Sequence, residues 1–135
     1  MAASGKILYS IVESPLHPDF TALYQRLGFT VLRPASQREA IRRLKRQPPA
    51  VMVADFLYGY GNNYAGANLG NLDVLLASLQ RYAAQCRVIV LAQRDEWSYL
   101  QRLGERFALH ACLAYPLDEA QLAEVLAPLA GAGGA

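Results

Sequence analysis

The sequence predicts one α/β domain, built on an open five-stranded parallel sheet with helices on both faces. Five short apolar runs alternate with five helix-like segments, which is the pattern of repeated βα units. Two of these runs, AVMVA and RVIVL, are almost wholly apolar, as expected of central strands that are covered on both faces. The length of 135 residues suits a single domain. We therefore expect residues 1–130 to form the domain and residues 131–135 to form a flexible tail.

The predicted strands are short and separated by one helix each. They cover Ile7–Val12, Thr30–Leu32, Ala50–Ala54, Arg87–Leu91 and Ala111–Ala114. Right-handed crossovers would join them into one doubly wound sheet. The flavodoxin-like strand order 2-1-3-4-5 is favoured, and in such sheets ligands gather beyond the carboxyl ends of the strands. Residues just after the strands are thus the first candidates for a functional site.

The helices are predicted from apolar residues at helical spacing and from their capping residues. Gly28 is expected to end the first helix. Ser36 and Glu39 predict a capping box at the start of the second. Asp95 and Asp118 are expected to cap the fourth and fifth. The third helix carries a leucine stripe: Leu72, Leu75, Leu76 and Leu79.

Composition excludes several classes of protein. The chain is 53% hydrophobic and 18% charged with a net charge of +2, which is typical of a globular domain without a global preference for nucleic acid or membrane. No apolar run approaches the roughly 20 residues of a membrane span, and the start lacks the layout of a signal peptide. Cys86 and Cys112 lack metal-site spacing and predict buried thiols of a reducing compartment. We expect a cytoplasmic protein without a metal or cofactor.

Four segments are similar, in order and spacing, to the signature regions of response-regulator receiver domains. They are KILYSIVES, VMVADF, RVIVLAQ and CLAYPLDEAQLAEVL, and the resemblance spans almost the whole chain except residues 56–71. In that family an aspartate at the end of the third strand accepts phosphate, and Asp55 stands at this position. The resemblance implies a receiver-like fold and a role in signal transduction.

The resemblance is incomplete at the phosphoacceptor pocket. Of the two acids that help to hold Mg²⁺ in the family, at most Glu13 is present. Ala92 replaces the hydroxyl residue after the fourth strand, and Tyr115 replaces the lysine before Pro116. Phosphoryl transfer depends on metal and cationic groups that neutralise charge. We therefore expect Asp55 not to accept phosphate, and these five residues to form a vestigial pocket without catalytic residues. The family also implies a cis peptide bond before Pro116.

The segment FLYGYGNNYAGANLGN after Asp55 is longer than the corresponding connection in receivers. Tyrosine interleaved with glycine and asparagine is typical of adaptable recognition loops. We interpret the segment as a loop that binds a protein partner. A lid over a small ligand near Asp55, or an insertion without a role, are the alternatives. The expected partner-binding residues are Tyr58, Tyr60, Asn62, Asn63 and Tyr64.

The second helix carries a concentration of positive charge in which Glu39 is the single acid. Such a run usually forms a solvated helix face, and a surface for an acidic partner or nucleic acid is the alternative. Nucleic acid is not favoured, because the sequence has neither a DNA-binding motif nor a stacking platform. His17 and His110 have no nucleophile or metal ligand placed beside them by sequence. The basic residues are Arg38, Arg42, Arg43, Lys45 and Arg46.

These observations predict a non-catalytic signalling or scaffolding module, similar to pseudo-receivers, that acts through protein–protein contacts. A receiver that still takes phosphate on Asp55 is the second hypothesis. The third is a small-ligand-binding domain of flavodoxin-like fold with the tyrosine loop as its lid. The expected partner is a protein of unspecified identity, and a homo-oligomer is left open.

Overall fold

The computed structural model describes residues 6–58 and 70–130. The strands are β1 (Ile7–Ile11), β2 (Thr30–Leu32), β3 (Val51–Asp55), β4 (Arg87–Ala92) and β5 (Ala111–Ala114). The helices are α1 (Thr21–Arg26), α2 (Gln37–Arg43), α3 (Asp73–Tyr82), α4 (Trp97–Arg106) and α5 (Glu119–Leu126). The strands form one parallel sheet in the order β2-β1-β3-β4-β5. This confirms the predicted α/β class and strand order.

The sheet is covered on both faces because alternate side chains of each strand point in opposite directions. In β3, Met52 and Ala54 pack against α2, α3 and α4. Val51 and Val53 pack against α1 and α5 on the other face. Asp55 continues this alternation at the end of the central strand, so its side chain lies on the α1 and α5 side.

The helix ends agree in part with the predicted caps. Gly28 follows α1 with a φ of 97°, a backbone conformation that glycine adopts without strain. Asp118 and Gln121 form a reciprocal capping box at α5. Ser36 caps α2 by accepting from the Glu39 amide, but the predicted box is incomplete. The Glu39 carboxylate accepts instead from the amide of Ala35 at 2.8 Å.

The predicted cap at Asp95 is wrong. Asp95 lies inside a 3-10 turn, Arg94–Glu96, and α4 begins only at Trp97. The turn already satisfies one of the amides that a cap at Asp95 would bind, since the amide of Trp97 donates to the Arg94 carbonyl oxygen. A second 3-10 turn, Ala127–Ala130, follows α5.

The two cysteines are free and partly buried. Burial raises the pKa of the Cys86 thiol to about 12, and it also raises the pKa of Cys112. Neither thiol is therefore activated as a nucleophile.

Of the helices in the described ranges, none has both the length and the apolar character required to cross a membrane.

Candidate functional site

Asp55 lies at the carboxyl end of β3, and its side chain is 0% exposed. Protein groups surround its carboxylate. Oδ2 accepts hydrogen bonds from the backbone amides of Glu13 at 2.7 Å and Ser14 at 2.9 Å. Oδ1 accepts from the hydroxyl of Tyr115 at 2.5 Å. The Nδ1 atom of His17 lies 3.1 Å from both oxygens. The loops after β1 and β5 thus close over the end of β3.

These contacts determine the charge of the cluster. Burial alone would raise the pKa of Asp55, but hydrogen bonds from His17, Ser14, Tyr115 and Glu13 outweigh it and lower the pKa below the usual value. Burial and the neighbouring Asp55 carboxylate raise the pKa of Tyr115. The pair therefore consists of an ionised carboxylate and a neutral phenol that donates to it.

His17 is a site residue that sequence reasoning missed. The histidine was expected to have no designated partner, but its side chain is 2% exposed and faces Asp55. An ionised carboxylate can only accept, so Nδ1 must carry a proton and donate to it. The buried Nε2 atom has no hydrogen-bond partner among the described residues. The available signal was topological: the residue follows β1, whose carboxyl end adjoins that of β3.

Asn71 binds the backbone just after β3, on both sides of Phe56. Its side-chain amide donates to the carbonyl oxygen of Asp55 at 2.8 Å, and its side-chain oxygen accepts from the amide of Leu57 at 2.7 Å. One step further out, Tyr58 and Gly70 form an isolated antiparallel bridge. These contacts hold together the two ends of the long connection between β3 and α3.

Tyr58 anchors the start of the predicted partner-binding loop. Its ring stacks on the ring of Tyr99 in α4, with centroids 3.6 Å apart and an interplanar angle of 13°. Its amide donates to the Glu96 carboxylate at 3.1 Å. The side chain is nevertheless 46% exposed, so part of it is available to a partner. The other predicted contact residues lie outside the described residues: Tyr60, Asn62, Asn63 and Tyr64.

The structure brings only some of the predicted pocket residues into contact with Asp55. Tyr115 contacts the carboxylate directly, and the peptide bond between Tyr115 and Pro116 is cis, as predicted. Glu13 contributes its backbone amide, whereas its carboxylate accepts from the side-chain amide of Gln37 at 2.8 Å. Ala92, the last residue of β4, is buried and offers no hydroxyl.

The residues around Asp55 do not fit the Mg²⁺ ion of a receiver. Mg²⁺ requires hard oxygen ligands in near-octahedral geometry. Here the carboxylate oxygens of Asp55 are directed at N–H and O–H donors, which repel a cation. Within residues 6–58 and 70–130, no group of three or more His, Cys, Asp or Glu side chains is placed to hold a metal ion.

A cavity of about 610 Å³ lies beside this cluster, between the loops after β1, β4 and β5. Tyr115 lines the cavity, and its hydroxyl also bonds to Asp55, which is not among the lining residues. The volume is in the range of small-molecule sites. Its other lining residues are Leu16, Pro18, Gln93, Arg94, Asp95, Pro116 and Leu117.

The chain has the fold of a response-regulator receiver domain. It is similar to a response-regulator receiver domain from Clostridium thermocellum, with a TM-score of 0.69, 18% identity and 94% of each chain covered. It is also similar to the receiver domain of a sensor histidine kinase from Pseudomonas aeruginosa, whose structure has a magnesium ion coordinated in the active-site cleft. That TM-score is 0.68 at 17% identity, covering 95% of this chain and 99% of the other.

A third similar structure is the receiver domain of the response regulator AraT from Geobacillus stearothermophilus. Its TM-score is 0.64 at 19% identity, covering 93% of this chain and 92% of the other. No protein-family model and no curated protein sequence matches the chain. At this level of identity the similarity shows the fold, and the chemistry of the site has to be judged from the residues themselves.

Proposed function

We propose that this chain is a non-catalytic pseudo-receiver, a signalling or scaffolding module that acts through protein–protein contacts. One observation carries the proposal: the Asp55 carboxylate is fully buried, and both of its oxygens are bound by protein donors. Phosphorylation would require one of these oxygens to approach a phosphoryl donor in line. The Tyr115 hydroxyl and the His17 ring stand in the way of that approach.

The electrostatics support the same proposal. In phosphoryl transfer the developing charge is neutralised by metal ions and by fixed cations. At the lysine position of the family, this chain has a phenol whose pKa is raised by burial and by Asp55. That phenol supplies a hydrogen bond but no positive charge. Asp55 thus serves as an internal acceptor that joins the loops after β1 and β5 to the end of β3.

Labelling with acetyl phosphate and Mg²⁺, followed by intact-mass spectrometry, tests the proposal. A receiver domain with a complete pocket serves as the positive control. We expect no stoichiometric phosphoryl adduct on this chain. An adduct that is lost in Asp55→Asn would show a working phosphoacceptor and overturn the proposal.

The variant Tyr115→Lys refines this test, because it restores the cation of the family and removes the hydroxyl over Asp55. An adduct in this variant but not in the natural chain would attribute the loss of phosphorylation to Tyr115. Circular dichroism of each variant verifies that the labelled protein is folded.

A further inference from the structure

Positive charge is concentrated on the segment 36–47, which contains α2, and on the neighbouring helix α3. We call these two segments together the α2–α3 surface. It carries six of the 13 basic residues of the chain but two of its 11 acidic residues. Both acids are already paired: Glu39 with Arg43 at 3.0 Å, and Asp73 with Arg106 at 2.9 Å. The basic residues are Arg38, Arg42, Arg43, Lys45, Arg46 and Arg81.

This concentration of charge is local. The net charge of the whole chain is +2, whereas six basic and two acidic residues give the α2–α3 surface +4. The remainder of the chain is therefore slightly acidic, with a net charge of −2. A surface with this excess attracts negatively charged partners and speeds their association.

A groove of about 540 Å³ runs between α2, α3 and the end of α4. Ile41, Val74 and Ala77 provide apolar lining, and Val74 is 57% exposed, the most exposed large apolar side chain in the described ranges. Val74, Ala77 and Arg81 follow one another at helical spacing, so they share the outward face of α3. The groove therefore combines an apolar floor with a cation at one end.

Tyr82, the last residue of α3, contacts two cations at that end: Lys45, which follows α2, and Arg81 of α3. Lys45 lies with its Nζ 5.0 Å from the ring centroid, and the guanidinium carbon of Arg81 lies 5.4 Å from the same centroid. Both cations thus lie within cation–π distance of one aromatic ring. An anion bound beside this ring would be attracted by both charges.

We propose that the α2–α3 surface binds an acidic segment of a protein partner, with one apolar side chain of that segment in the groove. Arginine clusters recognise acidic motifs, and amphipathic helices place apolar anchors in such grooves. Single-stranded nucleic acid is disfavoured because it needs free aromatic rings for base stacking, and the Tyr82 ring is engaged by Lys45. The inference rests on the proposed function, for which it names the chemistry of a partner.

Fluorescence anisotropy tests this inference with the full chain. The probe is a labelled synthetic peptide that carries glutamates and, at helical spacing, leucines; a second peptide has each leucine replaced by serine. The test variant is the double substitution Lys45→Glu and Arg81→Glu. The matched control is Arg26→Glu and Arg33→Glu, which changes the net charge equally on exposed residues of α1 and of the loop after β2.

We expect the leucine peptide to bind the natural chain and the control variant with similar affinity. Its affinity for the test variant should be lower by about tenfold or more, because complementary charges are lost. The serine peptide should bind more weakly than the leucine peptide. Equal binding of the two peptides, equal loss in the control variant, or tighter binding of a DNA oligonucleotide would each overturn the inference. Asp55 labelling probes a different region, so failure of one proposal is distinguishable from failure of the other.

Discussion

The Tyr115 hydroxyl donates a 2.5 Å hydrogen bond to Oδ1 of Asp55, and both side chains are buried. Receiver domains have a lysine at the position of Tyr115, whereas this chain has a neutral phenol there. Protein groups bind the Asp55 carboxylate, which is fully buried.

Removal of the Tyr115 hydroxyl should destabilise the fold. Tyr115→Phe leaves one oxygen of a buried carboxylate with fewer donors, and hydrogen bonds to charged groups contribute about 1.5–3 kcal/mol. We expect the free energy of unfolding to fall by an amount of this order. Urea denaturation followed by circular dichroism measures it.

Tyr24→Phe is the matched control for that experiment. The Tyr24 hydroxyl is also buried, but it has no hydrogen-bond partner within the part of the chain that the structure describes. Burial raises its pKa, and the nearby Ser10 side chain opposes this rise without reaching the geometry of a hydrogen bond. We expect Tyr24→Phe to be neutral or slightly stabilising. Equal losses in both variants would contradict the assigned role of the Tyr115 bond.

Stability should depend on pH through Asp55. Its folded-state pKa is lowered, against about 3.9 in an unfolded chain. The stabilisation from the ionised carboxylate is therefore fully present above the unfolded pKa and is lost as the pH falls through the folded pKa. The difference in unfolding free energy between the natural chain and Asp55→Asn should shrink as the pH falls below about 4.

Urea denaturation at a series of pH values checks this prediction. The titratable groups that face Asp55 are His17, Tyr115 and, at longer range, Tyr24. Repeating the series in a His17→Gln background separates the imidazole from the carboxylate. A difference between the natural chain and Asp55→Asn that stays constant down to strongly acidic pH would refute the assignment of a lowered pKa.

The close approach at Gly70 should not tolerate a side chain. A Cβ at this position would lie 2.4 Å from the carbonyl oxygen of Leu57 and 2.9 Å from a ring carbon of Phe56. Because the nearer atom is backbone, Gly70→Ala should destabilise the domain by about 1–3 kcal/mol, as overpacking does. Thermal denaturation measures the effect.

Gly104→Ala provides the contrasting control. Gly104 lies within α4, and a Cβ there would meet nothing nearer than 3.8 Å. Alanine should therefore stabilise the helix by about 0.5–1 kcal/mol. If Gly70→Ala melted at the same temperature as Gly104→Ala, the described packing of the loop base would be incorrect.

The sequence was sufficient for the fold because local patterns determine its elements. β2 and β5 begin and end where the apolar runs predicted, β1 and β4 differ by one residue at their carboxyl ends, and β3 is shifted by one residue at both ends. The order of strands follows from repeated βα units with right-handed crossovers. The 3-10 turn before α4 was not predicted. The sequence RDEW permits both a cap at Asp95 and a tighter turn, so the local pattern alone does not decide between them.

The site was less predictable because its contacts join residues that are distant in sequence. Asp55 bonds to His17, 38 residues away, and to Tyr115, 60 residues away. Because they follow β1 and β5, His17 and Tyr115 lie at the same edge of the sheet as Asp55. The apolar pattern of the sequence does not specify which side chains at this edge point toward Asp55. The role of Asn71 was likewise hidden, since its bonds to the backbone require the return of the chain beside Leu57.

The tyrosines of the loop after Asp55 should carry the binding of the partner. Replacing Tyr58, Tyr60 and Tyr64 together by alanine should weaken binding to the native partner by about tenfold or more, since buried tyrosines are frequent interface hot spots. The melting temperature should fall only slightly, because Tyr58 is 46% exposed and its stack on Tyr99 is worth about 0.5–1.5 kcal/mol.

Quantitative affinity capture from the native cell measures the partner retained by each variant. The matched control replaces the same three tyrosines by phenylalanine, which keeps the rings and removes the hydroxyls. We expect it to retain most of the binding, because large apolar contact area is the main contribution of tyrosine at an interface. Asp55→Asn should affect capture much less than the alanine variant does, provided that it is folded at the assay temperature. Normal capture by the alanine variant, or its outright unfolding, would show that these tyrosines do not form the partner-binding surface.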